Sequence, residues 1–231
     1  MVEQNLDKVK VAGSIPACTT NFKHSMEINF NFENNNSLIN NKTLYSLLYL
    51  LRSVEYLQGN VAEVGVYKGG SGKVLCENTK DVVYLIDTFE GLPKPCIMDE
   101  NYDGVYAHEQ GDFNDSSVEF VKNYLKDYTN FEIIQAKWPD SNIKTLDDKK
   151  FKFVHIDVDL YQSYVDNINY FWPRLINGGI MVFDDYNADT CPGAKKAVDE
   201  FIKKDASWIT WYNKDVLFFT SHLGQAYIVK I

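Results

Sequence analysis

Long apolar runs, paired cysteines and clustered positive charge are all missing from this chain, and each absence removes a class of function. No stretch approaches 18 consecutive apolar residues, and the amino end, MVEQNLDKVK, lacks the apolar core of an export signal. No membrane partner is therefore expected. Only four cysteines occur, at 18, 76, 96 and 191, without CxxC spacing. That argues against a structural zinc site or a disulfide framework, and for reduced thiols in a cytoplasmic protein. Lys and Arg number 23 against 32 Asp and Glu, a formal charge of −9 with no basic run. Neither duplex nucleic acid nor an anionic membrane finds the positive surface it needs, so a small-molecule partner is expected.

What is present fits one α/β domain. Hydrophobic residues make up 45% and charged residues 24% of 231, an ordinary globular composition with room for a sizeable core. The 15 Tyr and 14 Phe supply amphipathic rings for a binding cleft. An Asn-rich stretch over 29–41 reads as a solvated loop capping a helix, and Leu44, Leu47, Leu48, Leu51 and Val54 keep helical spacing across 38–56. Short apolar strands then alternate with helices. Strands are predicted over 61–65, 82–86, 131–135, 151–156 and 180–183. Helices are predicted from about 71, from about 116, over 163–175 with Gly178-Gly179 ending that segment, and near 194–203. Further strands over 208–212, 216–220 and 226–230 close the chain.

Apolar strands alternating with helices imply a parallel sheet covered on both faces. The closing strands lie too close together for a parallel return, so at least one pairs antiparallel. The expectation is a single domain over 1–231 with a Rossmann-like core over 60–231. Its sheet is mostly parallel and seven-stranded, with an antiparallel C-terminal hairpin. Residues 1–40 would form a lid or arm, compatible with a homodimer or higher homo-oligomer.

In open α/β sheets, ligands bind at the carboxyl ends of the strands. The first such end reads EVGVYKGGS over 63–71. Gly65 lets the chain turn off the strand, and Gly69-Gly70 let backbone approach a ligand at the helix start. A dinucleotide fingerprint would place its second glycine at Tyr67, whose side chain obstructs a pyrophosphate. The loop suits a nucleoside carrying an amino acid, with Glu63 receiving the ammonium directly or through water. At the second end, Asp87 is spaced to accept hydrogen bonds from both ribose hydroxyls, beside Thr88 and Phe89. At the third, Trp138 offers an indole for stacking near an adenine, next to Ala136. The candidate cofactor contacts are thus Glu63, Gly65, Val66, Tyr67, Gly70, Ser71, Asp87, Thr88, Phe89, Ala136 and Trp138. Packing for the glycine turn, a turn-forming Asp87 and a core Trp138 are the structural alternatives.

The fourth strand ends in HIDVDLY over 155–161 and the fifth in FDDY over 183–186. Neighbouring parallel strands would bring Asp157, Asp184 and Asp185 to one sheet edge. Three carboxylates there repel unless protonated or neutralised by a cation. Oxygen-only ligation points to a hard ion such as Mg²⁺, which would acidify and orient a substrate hydroxyl.

The segments EVGVYKGGS (63–71), DTFEGLP (87–93), HIDVDLYQS (155–163), GGIMVFDDY (178–186) and CPGAKKAVDEF (191–201) together resemble the macrocin O-methyltransferase family. The resemblance implies a class I methyltransferase fold, S-adenosyl-L-methionine as methyl donor, Mg²⁺, and sugar hydroxyls of secondary metabolites as acceptors. Carried over, Asp157, Asp184 and Asp185 would ligate the metal, and Gly65 and Asp87 would contact the cofactor. Catechol-type O-methyltransferases are similar in placing the same three ligands at these strand ends. They carry a lysine base where this chain has Leu160, so the base falls to Asp157, Asp159, or His108 on the mobile-looking loop over 98–112. The family's GWF-like segment and TLP turn are replaced at 136–141 by AKWPDS. Tyr161, Tyr164 and Tyr170 read as packing residues. Residues 1–40 and the 98–112 loop are the candidates for acceptor selection.

Two rival classes are weaker. A nicotinamide-dependent oxidoreductase is opposed by Tyr67 and by the second acidic strand end. A silent binding protein is opposed by the carboxylate triplet, costly without an ion. Within the enzymes, an N- or carboxyl-methyltransferase is the alternative.

Overall fold

The computed structural model describes residues 35–137, 141–204, 216–221 and 223–231. Among them, seven strands form one sheet: β1 (Asn60–Val64), β2 (Val83–Asp87), β3 (Phe131–Gln135), β4 (Phe151–Ile156), β5 (Leu175–Phe183), β6 (Val216–Thr220) and β7 (Ala226–Lys230). Their order is β3-β2-β1-β4-β5-β7-β6. β3 through β5 run parallel, while β7 pairs antiparallel with β5 and with β6. Helices α1 (Asn41–Ser53), α2 (Gly70–Asn78) and α3 (Val118–Tyr124) pack on one face; α4 (Tyr161–Phe171) and α5 (Pro192–Lys204) pack on the other. The expected sheet, two-sided helix cover and C-terminal hairpin are all there. The strand predicted over 208–212 and most of the N-terminal arm lie outside the described residues. Among the described residues, no helix is long and apolar enough to cross a membrane.

Alternation along the strands feeds two cores. Val61, Leu85, Phe153 and Val182 face α1–α3, while Ala62, Ile86, Val154 and Phe183 face α4 and α5. Both faces are covered, which is why these strands read as continuous apolar runs. The Asn-rich stretch does cap a helix: the Asn40 side chain accepts from Lys42 N and Thr43 N at the start of α1. Leu44, Leu47, Leu48 and Leu51 of that helix are all at most 2% exposed.

Two boundaries differ from expectation, the end of α4 and the start of β5. α4 ends at Phe171, because Pro173 removes a helical N–H and confines Trp172–Arg174 to a single 3₁₀ turn. Gly178-Gly179 lies inside β5 rather than ending a helix. Gly178 has φ +81°, and the β4–β5 register slips there, Phe151 pairing with Leu175 but Phe153 with Ile180.

β4 also carries a buried cation. Lys152 is 1% exposed, with Nζ 2.6 Å from Asp81 Oδ2. The same ammonium donates to the carbonyls of Glu55 (3.3 Å) and Leu57 (3.2 Å), tying the segment after α1 to the sheet. Lys152→Met would orphan both carbonyls, so a loss of about 2–3 kcal/mol is expected in urea unfolding. Asp81→Asn should cost clearly less, because that side chain still reaches water. Equal costs would locate the stabilisation in the ion pair instead.

Candidate active site

The chain leaves β1 through Gly65 at φ +86°, where any Cβ would collide with the carbonyl oxygen of Asp157. Asp157 N–H in turn donates to Val64 O at 2.9 Å, so the exits of β1 and β4 touch backbone to backbone. Asp87, at the end of β2, closes the turn from the other side. Its Oδ2 accepts from Val66 N (2.7 Å) and Tyr67 N (2.8 Å), and its Oδ1 from Phe89 N (2.8 Å). A carboxylate offers about four acceptor positions, so three are used on backbone and one is left for a ligand. Tyr67, at φ +48°, turns its ring edge-on to Phe113 at 5.6 Å.

A cavity of about 430 Å³ follows these strand ends. Of the sequence-predicted cofactor residues, Gly65, Val66, Tyr67, Gly70, Ser71, Asp87, Thr88 and Ala136 line it. So do Asp157, Asp159, Asp184 and Asp185, from the β4 and β5 side. Two predicted residues are not brought there. Phe89 packs against the α1–α3 core, and Glu63 is fully buried with Nδ1 of His155 at 3.0 Å from its Oε1. Register explains Glu63: it pairs with His155 across β1 and β4, both pointing under α2 rather than along the strand axis. Trp138 lies outside the described residues.

Asp157, Asp184 and Asp185 bring carboxylate oxygens within 4.8 Å of one another. Two are held from behind by one oxygen each. Asp184 Oδ1 accepts from Gln225 Nε2 (2.6 Å) and faces His155 Nε2 (3.4 Å). Asp185 Oδ2 accepts from the Tyr164 hydroxyl (3.0 Å) and from Asp159 N (3.2 Å). In each, no donor among the described residues engages the second oxygen, and both residues line the cavity. Among the described residues, no hydrogen-bond donor engages the Asp157 carboxylate.

The carboxylates open on the cavity, with protein around the rest, and burial sets their proton affinity. Burial, then the charges of Asp184, Asp185 and Asp159, holds the Asp157 carboxyl well above the usual range. Burial with Asp159 and Asp184 does the same at Asp185. Asp159 is raised by burial, against the opposing pull of His108. Behind them, burial alone would depress His155, but Asp184 and Glu63 outweigh it and lift the imidazole to about 9.

Several of these residues had no sequence signal. Gln225 and Asp184 are 41 residues apart, and Tyr164 passes for a core aromatic because it is fully buried. Asp99 is another. Leu160 gives α4 no side-chain cap, and Asp99 Oδ1 accepts from Tyr161 N (2.7 Å) across 62 residues while its Oδ2 accepts from Cys96 N (2.8 Å). The 98–112 loop, mobile-looking in sequence, is anchored by that contact and by the bonds between Leu92 and the Gly111–Asp112 backbone. Lys196 adds a bond to Met98 O at 2.8 Å.

The family model for macrocin-O-methyltransferase (TylF) matches residues 34–212. A demethyldecarbamoylnovobiocin O-methyltransferase from Streptomyces niveus is 26% identical over 161 residues, 63% of this chain and 59% of that protein. An 8-demethyl-8-(2,3-dimethoxy-alpha-L-rhamnosyl)-tetracenomycin-C 4′-O-methyltransferase from Streptomyces olivaceus is 26% identical over 173 residues, 68% of this chain and 65% of that protein. The chain spans less than two thirds of either relative. Among solved structures, the O-methyltransferase NovP matches with a TM-score of 0.62 at 22% identity, covering 82% of this chain and 79% of that one. That likeness identifies the fold as the Rossmann-like fold of methyltransferases.

The imidazole of His155 is raised, so the stability it brings is complete below about pH 6.5 and disappears as pH climbs through about 9. In protein freed of divalent ions, the melting-temperature gap between the wild type and His155→Gln should shrink across that interval. A gap that stays flat would mean that the folded state holds His155 neutral.

Proposed function

Because the chain belongs to the macrocin-O-methyltransferase family, we propose that it moves a methyl group from S-adenosyl-L-methionine to a hydroxyl oxygen of a small molecule, a sugar unit on a secondary metabolite. One observation carries this reading. A single cavity joins the glycine turn and Asp87 to four carboxylates, so a nucleoside-bearing donor and an oriented hydroxyl can lie side by side. The sugar follows the relative from Streptomyces olivaceus, which is named for 4′-O-methylation of a rhamnosyl compound. Free Cys76, Cys96 and Cys191 fit a cytoplasmic enzyme.

The donor would lie along Gly65–Ser71 and use the open acceptor position of Asp87. Glu63 drops out of that role, since its carboxylate faces His155. Asp157, Asp184 and Asp185 would hold a hard divalent ion such as Mg²⁺; their donor set is all oxygen, close together and rich in charge. Such an ion supplies neutralising charge and lowers the pKa of a bound hydroxyl.

Asp159 is the proposed base. It lines the cavity two residues beyond Asp157, and its backbone N–H is tied to Asp185. Burial raises its proton affinity, as accepting a hydroxyl proton requires. The bound donor would supply a methyl group on a sulfonium, leaving as a neutral thioether when the acceptor oxygen takes the methyl carbon, and Asp159 would receive the hydroxyl proton. Holding donor and acceptor in line would supply much of the acceleration.

Calorimetry should detect binding of S-adenosyl-L-methionine and none of NADH; the reverse overturns the reading. Mg²⁺ should bind with heats that vary with the buffer's ionisation enthalpy, because the raised carboxyls release protons. Asp157→Ala should abolish Mg²⁺ binding while keeping donor affinity, and loss of both in a folded variant contradicts the division of the site. Asp159→Asn should lower kcat on a sugar-bearing acceptor by about 10²–10⁴-fold with little change in KM.

A further inference from the structure

Asp159 also borders a second, smaller space, lined with it by Pro95, Tyr106, His108, Thr190 and Cys191. Three elements converge there: the loop between β2 and α3 brings His108, the turn after β4 brings Asp159, and Cys191 immediately precedes α5. Cys191 Sγ lies 3.5 Å from His108 Nε2 and 3.4 Å from Asp159 Oδ1. His108 Nε2 lies 3.6 Å from Asp159 Oδ1. That last separation is too long for a nitrogen–oxygen hydrogen bond, whose usual range ends near about 3.2 Å.

The triangle also has the dimensions of an ion site. Zinc bonds of about 2.3 Å to sulfur and about 2.0–2.2 Å to nitrogen or oxygen, at tetrahedral angles, set nitrogen and oxygen about 3.3–3.5 Å apart and sulfur about 3.5–3.7 Å from either. The three edges, 3.5, 3.4 and 3.6 Å, lie within about 0.1 Å of those spacings. On the other side of the imidazole, Asp112 Oδ2 stands 3.7 Å from His108 Nδ1, beyond hydrogen-bond reach, and accepts instead from Glu109 N at 2.9 Å. Cys191 is 3% exposed, which shields the sulfur from bulk solvent. The spacing by which cysteine-rich zinc sites are read from sequence is absent, since 83 residues separate His108 from Cys191.

We propose that His108, Asp159 and Cys191 form a second metal site, for a zinc-class divalent ion, distinct from the all-oxygen cluster of Asp157, Asp184 and Asp185. Nitrogen and sulfur ligands select zinc over magnesium, so the two sites discriminate by chemistry. On binding, the Cys191 thiol loses its proton to solvent and a sulfur–metal bond forms; nothing is oxidised or reduced. Asp159 would then give its Oδ1 lone pair to the ion, and zinc would inhibit methyl transfer even with Mg²⁺ saturating. The inhibition rests on Asp159 acting as base, whereas the binding stands without it.

The test uses Co²⁺ as the spectroscopic probe on the full chain, with Mg²⁺ in large excess to fill the oxygen cluster. One equivalent of Co²⁺ should produce a sulfur-to-cobalt charge-transfer band in the near ultraviolet and the visible bands of a tetrahedral ion, and Zn²⁺ should displace both. Cys191→Ser should remove the charge-transfer band, and Asp112→Asn, whose side chain lies beyond hydrogen-bond reach of His108, should keep it. No charge-transfer band in the wild type overturns the proposal. So does a band that persists in Cys191→Ser, which would assign the sulfur to another cysteine. If Co²⁺ binds as described yet Zn²⁺ leaves turnover unchanged, the metal site stands and the reading of Asp159 as base falls.

Discussion

Four carboxylates gathered at the ends of two adjacent strands impose the constraint on which the rest of this structure depends. Two unit charges 4.8 Å apart repel by roughly 3.5 kcal/mol at an effective dielectric of about 20, and the cluster holds several such pairs. The protein offsets this with fixed donors placed behind the carboxylates: Gln225 and the raised His155 at Asp184, the Tyr164 hydroxyl and the Asp159 amide at Asp185. The two donors at each carboxylate share one oxygen and, among the described residues, leave the other without a hydrogen-bond donor. The cluster is thereby oriented without being neutralised, and the remaining charge calls for protons or a cation.

That orientation is transmitted through backbone rather than through flexible side chains. Gly65 packs against the Asp157 carbonyl, and Asp157 donates back to Val64, so the donor end and the acidic end of the cavity share one backbone contact. Asp87 then holds the amides of Val66 and Tyr67 by a single oxygen. A side chain that is read as a ligand contact is therefore also a clamp on the turn itself. Replacing it would move the walls of the cavity as well as remove an acceptor, which ties the glycine turn to the geometry of the acidic edge.

The sequence made the sheet legible because both of its faces are buried. Phe131–Gln135 and Phe151–Ile156 stand as the apolar runs predict, and the short C-terminal spacing forces the antiparallel pair. It was less informative wherever a residue's role depends on what it meets across the fold. Glu63 carries the right chemistry for an ammonium, yet strand alternation turns it toward His155 in the parallel partner. Gly178-Gly179 looks like a helix end because a bulge inside β5 also needs a residue at positive φ. Asp99 caps α4 from 62 residues away, and no local pattern records such a cap.

The same long-range logic explains why Cys191 ends beside Asp159. Pro192 opens α5, and at Gly193 a Cβ would collide with Asp99 Oδ1 and crowd Tyr161. The start of α5 is thus pressed onto the start of α4, with Asp99 between them as the cap of one and the neighbour of the other. Cys191, the residue just before that contact, then has nowhere to point but the turn after β4, where Asp159 is held at φ +56° by Asp185. Asp99 also holds the start of the loop that carries His108, through Cys96, while the backbone bonds of Leu92 to Gly111 and Asp112 hold its end. One buried carboxylate outside the acidic cluster therefore joins the starts of α4 and α5 to the loop that carries His108, and borders both the His108–Asp159–Cys191 triangle and the cavity where methyl transfer is proposed.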